Sequence, residues 1–171
     1  EQDLTVNIDK TRVTLEFIET IADIIVLEFN DVYCLLILKA NETYIKSVVD
    51  QIQSSGIPVS LFVDPTTEQL EACARVKATW VELHTGSYAE ASWSTQAREL
   101  AILKESTAIG RSLGLRVNAG HGLTYQNVEN IAAIEGIEEL NIGHTIIARS
   151  IAVGLQEAVK QMKKLVQNPR K

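Results

Sequence analysis

Along the chain, short apolar runs alternate with longer stretches in which apolar residues recur every three or four positions. This is the rhythm of repeated βα units. It predicts strands at "RVTLE" (12–16), "VYCLLIL" (32–38), "IPVSLFV" (57–63), "TWVELH" (79–84), "LRVNA" (115–119) and "ELNIG" (139–143). Their Val, Ile and Leu content suits strands covered on both faces. Between them lie helices with clear punctuation. Asp64-Pro65-Thr66 precedes "TEQLEACARVKA", and Thr66 with Gln69 has capping-box spacing. "STQARELAILKESTAIGRSL" stops at Gly114, and Thr124 opens "YQNVENIAAI", with Gly136 after its end. A last helix, after Ile147, puts Ile151, Leu155, Val159, Met162 and Val166 on one face.

The front is less regular. Residues 17–30 read as a helix from their length and the Ile18, Ile21, Ile25 spacing, although "DIIVLEF" alone fits a strand. "LTVNID" alternates like a strand yet meets "RVTLE" within a few residues. Parallel neighbours need a crossover of about a dozen residues, so these two are not successive strands of one parallel sheet. Six βα units fit an α/β fold of the TIM-barrel type that is incomplete, or a complete open doubly wound sheet. An eight-stranded barrel typically takes about 250 residues. No glycine-rich dinucleotide fingerprint follows the early strands, which lowers the second reading.

Composition narrows the class. At 171 residues the chain is expected to form a single domain with a substantial core. A net charge of −6 argues against a nucleic-acid surface but leaves room for a local phosphate pocket. Cys34 and Cys73 form no ligand cluster and suggest a reducing, cytoplasmic setting. The most apolar stretch carries Asp23, Glu28 and Asp31 and is a poor membrane span. No N-terminal segment reads as a secretory signal, and a start at Glu1 suggests a processed or excised piece.

All three histidines stand at expected strand ends: His84 in "WVELHTG", His121 in "VNAGHG" and His144 in "LNIGH". In a βα barrel that is the reactive end. The common fate of a lone histidine is a hydrogen-bonded loop residue, but flanking glycines shift this set towards a site. Glu82 and His84 alternate with Val81 and Leu83 and so share a strand face, as Thr14 and Glu16 do. A carboxylate pointing into a barrel must be paired, solvated or shifted in pKa, and Arg12 or Arg116 would serve as an ordinary ion-pair partner. Gly122 and Gly143, at strand–helix junctions, suit a phosphate approaching backbone N–H groups.

The segments "GIPVSLFVDP", "WVELHTGSYAEA", "LGLRVNAGHGLTYQNV" and "IEELNIGHTIIARSIAVGLQEAV" together resemble the pyridoxine 5′-phosphate synthase family. These enzymes are βα barrels of vitamin B6 synthesis. The resemblance is close over about 56–166 and weaker at "KTRVTLEF", with 1–40 a divergent or shortened front. It implies condensation of 3-amino-2-oxopropyl phosphate with 1-deoxy-D-xylulose 5-phosphate, without cofactor, redox step or metal. It implies Glu16 as general acid/base, His121 as proton donor and Glu82 as stabiliser of transition-state charge. Gly122, Gly143 and His144 would hold the aminoketone phosphate, and Asn7 and Asp9 would belong to the substrate site. It also implies phosphorylated small-molecule partners, with no nucleic acid or membrane, and a homo-oligomer.

The departures cluster at the front. "VNIDK" has Lys10 where the family carries histidine, and the following strand with its catalytic histidine and basic residues has no counterpart. The family's Pro-Glu-Lys-Arg loop is reduced to "KANET". An alternative is therefore a non-catalytic phosphate-binding or assembly module keeping the fold's back half. A metal-dependent hydrolase using His84, His121 and His144 with Glu16 is a further alternative, requiring ligands about 2.0–2.2 Å from one zinc ion.

Overall fold

The structure is a computed structural model that describes residues 6–8, 11–13, 42–167 and 169. The chain divides into two units, Glu1–Ala40 and Asn41–Lys171. In the first, β1 (Val6–Ile8) pairs antiparallel with β2 (Thr11–Val13), Val6 opposite Val13 and Ile8 opposite Thr11. A short connection permits only this direction of pairing. The expected helix at 17–30, the strand at 32–38, and the site candidates Asp9 and Glu16 lie outside the described residues.

In the second unit the elements follow the expected alternation. They are α1 (Glu42–Ser54), β3 (Ser60–Val63), α2 (Thr67–Arg75), β4 (Trp80–His84), α3 (Gly86–Glu90), α4 (Gln96–Ser112), β5 (Arg116–Gly120), α5 (Val128–Ala132), β6 (Ile137–Asn141), α6 (His144–Val153) and α7 (Leu155–Gln167). The four strands form one parallel sheet in the order β3-β4-β5-β6. The chain is thus an α/β protein with four parallel strands among its described residues.

Alternation along the strands decides the two faces. Val63, Val81, Leu83, Val117 and Ala119 are buried, together with Leu70 and Val76 near α2, Leu103 of α4 and Ile131 of α5. Full burial of a Val or Leu side chain contributes roughly 1.5–3 kcal/mol. Helix α4 comes so close to β5 that a Cβ at Gly110 would lie 3.1 Å from the Val117 side chain. The other face carries Phe62, Glu82 and His84, which are half-buried.

Three local expectations change in detail. Thr66 does cap α2, accepting from Gln69 N at 3.4 Å, but the Gln69 side chain turns to Asp64 and leaves the box half made. Helix α5 begins at Val128 instead of just after Thr124. The Asn127 carboxamide accepts from Thr124 N at 2.7 Å and donates to Gly122 O at 3.3 Å, holding that segment in a turn. The last apolar run is two helices, because Gly154 adopts φ 82° between α6 and α7. Met162 is buried, whereas Ile151, Leu155 and Val159 are exposed.

Candidate active site at the carboxyl ends of the strands

Parallel strands deliver their last residues to one end of the sheet, and here those residues are polar. Asp64 follows β3; Glu82 and His84 come from β4; Gly120, His121 and Gly122 leave β5; Asn141, Gly143 and His144 leave β6. Glu82 stands in register with Asn118 and His84 with Gly120, while Gly120 faces Asn141.

Glu82 is held from the next strand but one. Asn141 Nδ2 donates to its Oε2 at 2.6 Å across 59 residues of sequence. Its Oε1 occupies the space a side chain at residue 120 would need, which is why glycine stands there. Burial pushes the Glu82 carboxyl above its ordinary range, opposed by the Asn141 hydrogen bond and by His84. Arg116 is no partner for it: that guanidinium bonds Glu138 and lies over the Trp80 ring. Beside Glu82, Asn118 is buried, and its Oδ1 has no hydrogen-bond partner among the described residues.

His121 has φ 79°, in the left-handed region that a residue with a side chain adopts at a cost of about 1–3 kcal/mol. Thr85, fully buried, holds it there. The Thr85 N–H donates to Gly120 O at 2.8 Å, and its hydroxyl lies 2.7 Å from Gly120 O and 2.5 Å from His121 O. Gly122 continues at φ 72°, and a Cβ on it would come within 2.6 Å of Ala89 Cβ. The His121 ring lies 4.7 Å from the His84 ring and 6.4 Å from Phe62, centroid to centroid. Burial first, then His84 and His144, push the His121 imidazole below its ordinary value, with Glu90 opposing. Gly143 precedes α6 and His144 is its first residue, so both stand where a helix start carries N–H groups with no intrahelical partner.

The geometry therefore brings Glu82, His84, His121, Gly122, Gly143 and His144 to one end of one sheet. Asn7 lies in β1, in the other unit. Among the described residues, no group of three or more His, Cys, Asp or Glu side chains is arranged to hold a metal ion. That removes the support for zinc on the three histidines alone. Sequence reasoning passed over Asp64, Gln69, Thr85, Asn118 and Asn141. Asp64 had a readable signal, a carboxylate directly after an apolar strand and before Pro65. Asn141 had none, since its role depends on which strand lies beside Glu82.

A family model described as "Pyridoxal phosphate biosynthesis protein PdxJ" matches residues 36–168. Curated relatives described as pyridoxine 5′-phosphate synthase include one from Prochlorococcus marinus (strain MIT 9303), 72% identical over 132 residues, covering 77% of this chain and 54% of the relative. Another, from Synechococcus sp. (strain WH7803), is 69% identical over 125 residues, covering 73% of this chain and 51% of the relative. The chain spans about half the length of the curated relatives it matches.

Proposed function

The chain belongs to the PdxJ family of pyridoxal phosphate biosynthesis proteins, and from that premise we propose that its strand-end site performs the acid–base chemistry of a pyridoxine 5′-phosphate synthase. The reaction joins 3-amino-2-oxopropyl phosphate to 1-deoxy-D-xylulose 5-phosphate. Its fold in that role is a βα barrel, of which the four parallel strands are one part. The observation that carries the reading is the gathering of Glu82, His121, Gly122, Gly143 and His144 at the carboxyl end of one parallel sheet, where burial displaces Glu82 upward and His121 downward. Burial favours the neutral form of each, a carboxyl that can give a proton and an imidazole that can take one.

In this reading His121 delivers a proton and Glu82 stabilises charge as it develops. The neutral His121 ring first takes a proton from the reacting groups, and its lowered pKa makes the imidazolium so formed a readier donor; the Asn141 hydrogen bond keeps the Glu82 carboxyl in one orientation. Gly122, Gly143 and His144 receive the phosphate of the aminoketone, where the start of α6 favours an anion. Glu16 is the general acid/base, and Asn7 and Asp9 belong to the substrate-binding set. A homo-oligomer and a cytoplasmic setting belong to the same proposal.

The departures at the front, Lys10 where the family carries histidine and the short "KANET" in place of the Pro-Glu-Lys-Arg loop, favour a second reading, a phosphate-binding module without turnover. One experiment separates them: incubation with both phosphorylated substrates, with mass spectrometry for pyridoxine 5′-phosphate. Product is expected, and Glu82→Gln or His121→Asn should reduce its rate by about 10²–10⁴-fold in protein that stays folded. Absence of product, with the aminoketone phosphate still bound, would establish the module instead.

A further inference from the structure

Behind His121 lies a column of side chains to which the proposed reaction gives no part. It starts at Asp64, whose carboxylate is held from α2. Gln69, 2% exposed, commits both ends of its carboxamide there, accepting from Asp64 N at 2.9 Å and donating to Oδ2 at 3.4 Å. The other oxygen, Oδ1, stands 3.3 Å from His84 Nδ1. The His84 ring meets Phe62 in a T-shaped contact at 5.3 Å and packs against His121 at 4.7 Å. It has room only because residue 86 is glycine: a Cβ there would lie 2.7 Å from both Cε1 and Nε2. The ring is therefore confined at its Nδ1 edge by a carboxylate, at its Nε2 edge by backbone, and on its flanks by two further rings.

We infer that Asp64 fixes His84 in the tautomer with its proton on Nδ1, and that His84, so fixed, orients the His121 ring. Asp64 and His84 are then positioning residues for the proton chemistry at His121. The inference rests on the reading of His121 as a reactive group and adds the device that aims it. The chemistry is direct. An ionised carboxylate only accepts, so the nitrogen facing it carries the hydrogen, and the second nitrogen of the neutral ring becomes an acceptor. An unconstrained neutral imidazole favours the other tautomer, with the hydrogen on Nε2, so the Asp64 contact leaves a mark that can be read. Gln69 matters because Asp64, at a strand end and partly exposed, would otherwise have solvent as an alternative partner.

Nitrogen-15 NMR of the full chain labelled at histidine, at a pH where the rings are neutral, tests this. The unsubstituted chain is expected to show His84 with hydrogen on Nδ1. Asp64→Ala should move it to the Nε2 form and shift the His121 ring signals. Asp64→Asn, whose Oδ1 still accepts, should restore the original tautomer, and Gln69→Leu should give a mixture. Finding His84 protonated on Nε2 in the unsubstituted chain overturns the inference, and that measurement depends on no variant folding. Unmoved His121 signals in Asp64→Ala overturn it as well. In protein that turns over, Asp64→Ala should lower kcat by about 10- to 100-fold with KM little changed, the size found for partners that orient a histidine from outside the reacting layer. An unchanged kcat sinks the positioning role. Turnover without the tautomer leaves the proposed function standing and this inference lost; the tautomer without turnover does the reverse.

Discussion

The two ends of the four-stranded sheet treat charge in opposite ways. At the amino end, Arg116 pairs with Glu138 at 2.5 Å and lies 3.6 Å from the centroid of the Trp80 ring. Each partner favours the charge on the other, so Arg116 titrates higher and Glu138 lower than usual, the shared hydrogen bond being the main cause. At the carboxyl end, burial leads instead: Glu82 moves up and His121 moves down, both towards neutrality. One end fixes charge at the surface among groups that satisfy each other. The other keeps ionisable groups partly desolvated, which is the condition for moving a proton. The comparison teaches that position along a strand, and not residue type, separates a structural glutamate from a candidate reactive one.

The largest effect should come from closing the gap over which Glu82 lies. Gly120→Ala would place a methyl group against the Glu82 carboxyl and 3.0 Å from the Asn141 backbone oxygen. It is expected to cost about 1–3 kcal/mol of stability in urea denaturation, as overpacking does, and to remove turnover. An alanine variant as stable and active as the parent would break the account of how Glu82 is held.

A smaller, pH-dependent effect sharpens the contrast. Glu82 binds its proton more tightly in the folded chain than in the unfolded one. Its contribution is therefore present below the ordinary value of 4.5 and lost as pH rises through the raised folded value. His121 has the opposite sign: its contribution is present above 6.5 and lost as pH falls through the lowered folded value. Denaturation midpoints across this range should lose the first dependence in Glu82→Gln and the second in His121→Asn. Identical pH profiles for parent and variants would show that neither group is displaced on folding. The smallest effect belongs to the amino end. Arg116→Met should leave turnover unchanged and lower the thermal midpoint only slightly, since the pair is exposed. A large loss of activity there would erase the distinction between the ends.

Much of the second unit was legible before any coordinates. The strand centres at 60–63, 80–84 and 116–119, the helix-capping Thr66 and the turn at Gly114 all follow from local rules of period and backbone freedom. The shared face of Glu82 and His84 was legible for the same reason, because alternation is a property of one strand. What failed was also local in origin. The final helix looked continuous because apolar spacing carries on through Gly154, and the backbone break there outweighs it.

The sequence by itself determined which residues end the strands and which side of each strand they occupy, since both depend on neighbours a few positions away. Tertiary structure alone decided which ends meet. Asn141 reaches Glu82, Asp64 (held by Gln69) meets His84, and His84 packs against His121 only because β3, β4, β5 and β6 lie side by side in that order. Apart from Gln69 and Asp64, five positions apart, these partners are tens of residues apart, and no local pattern encodes them. Their pairing is set by the burial of the opposite, apolar face, and the site's geometry follows from packing to which its own polar residues contribute little.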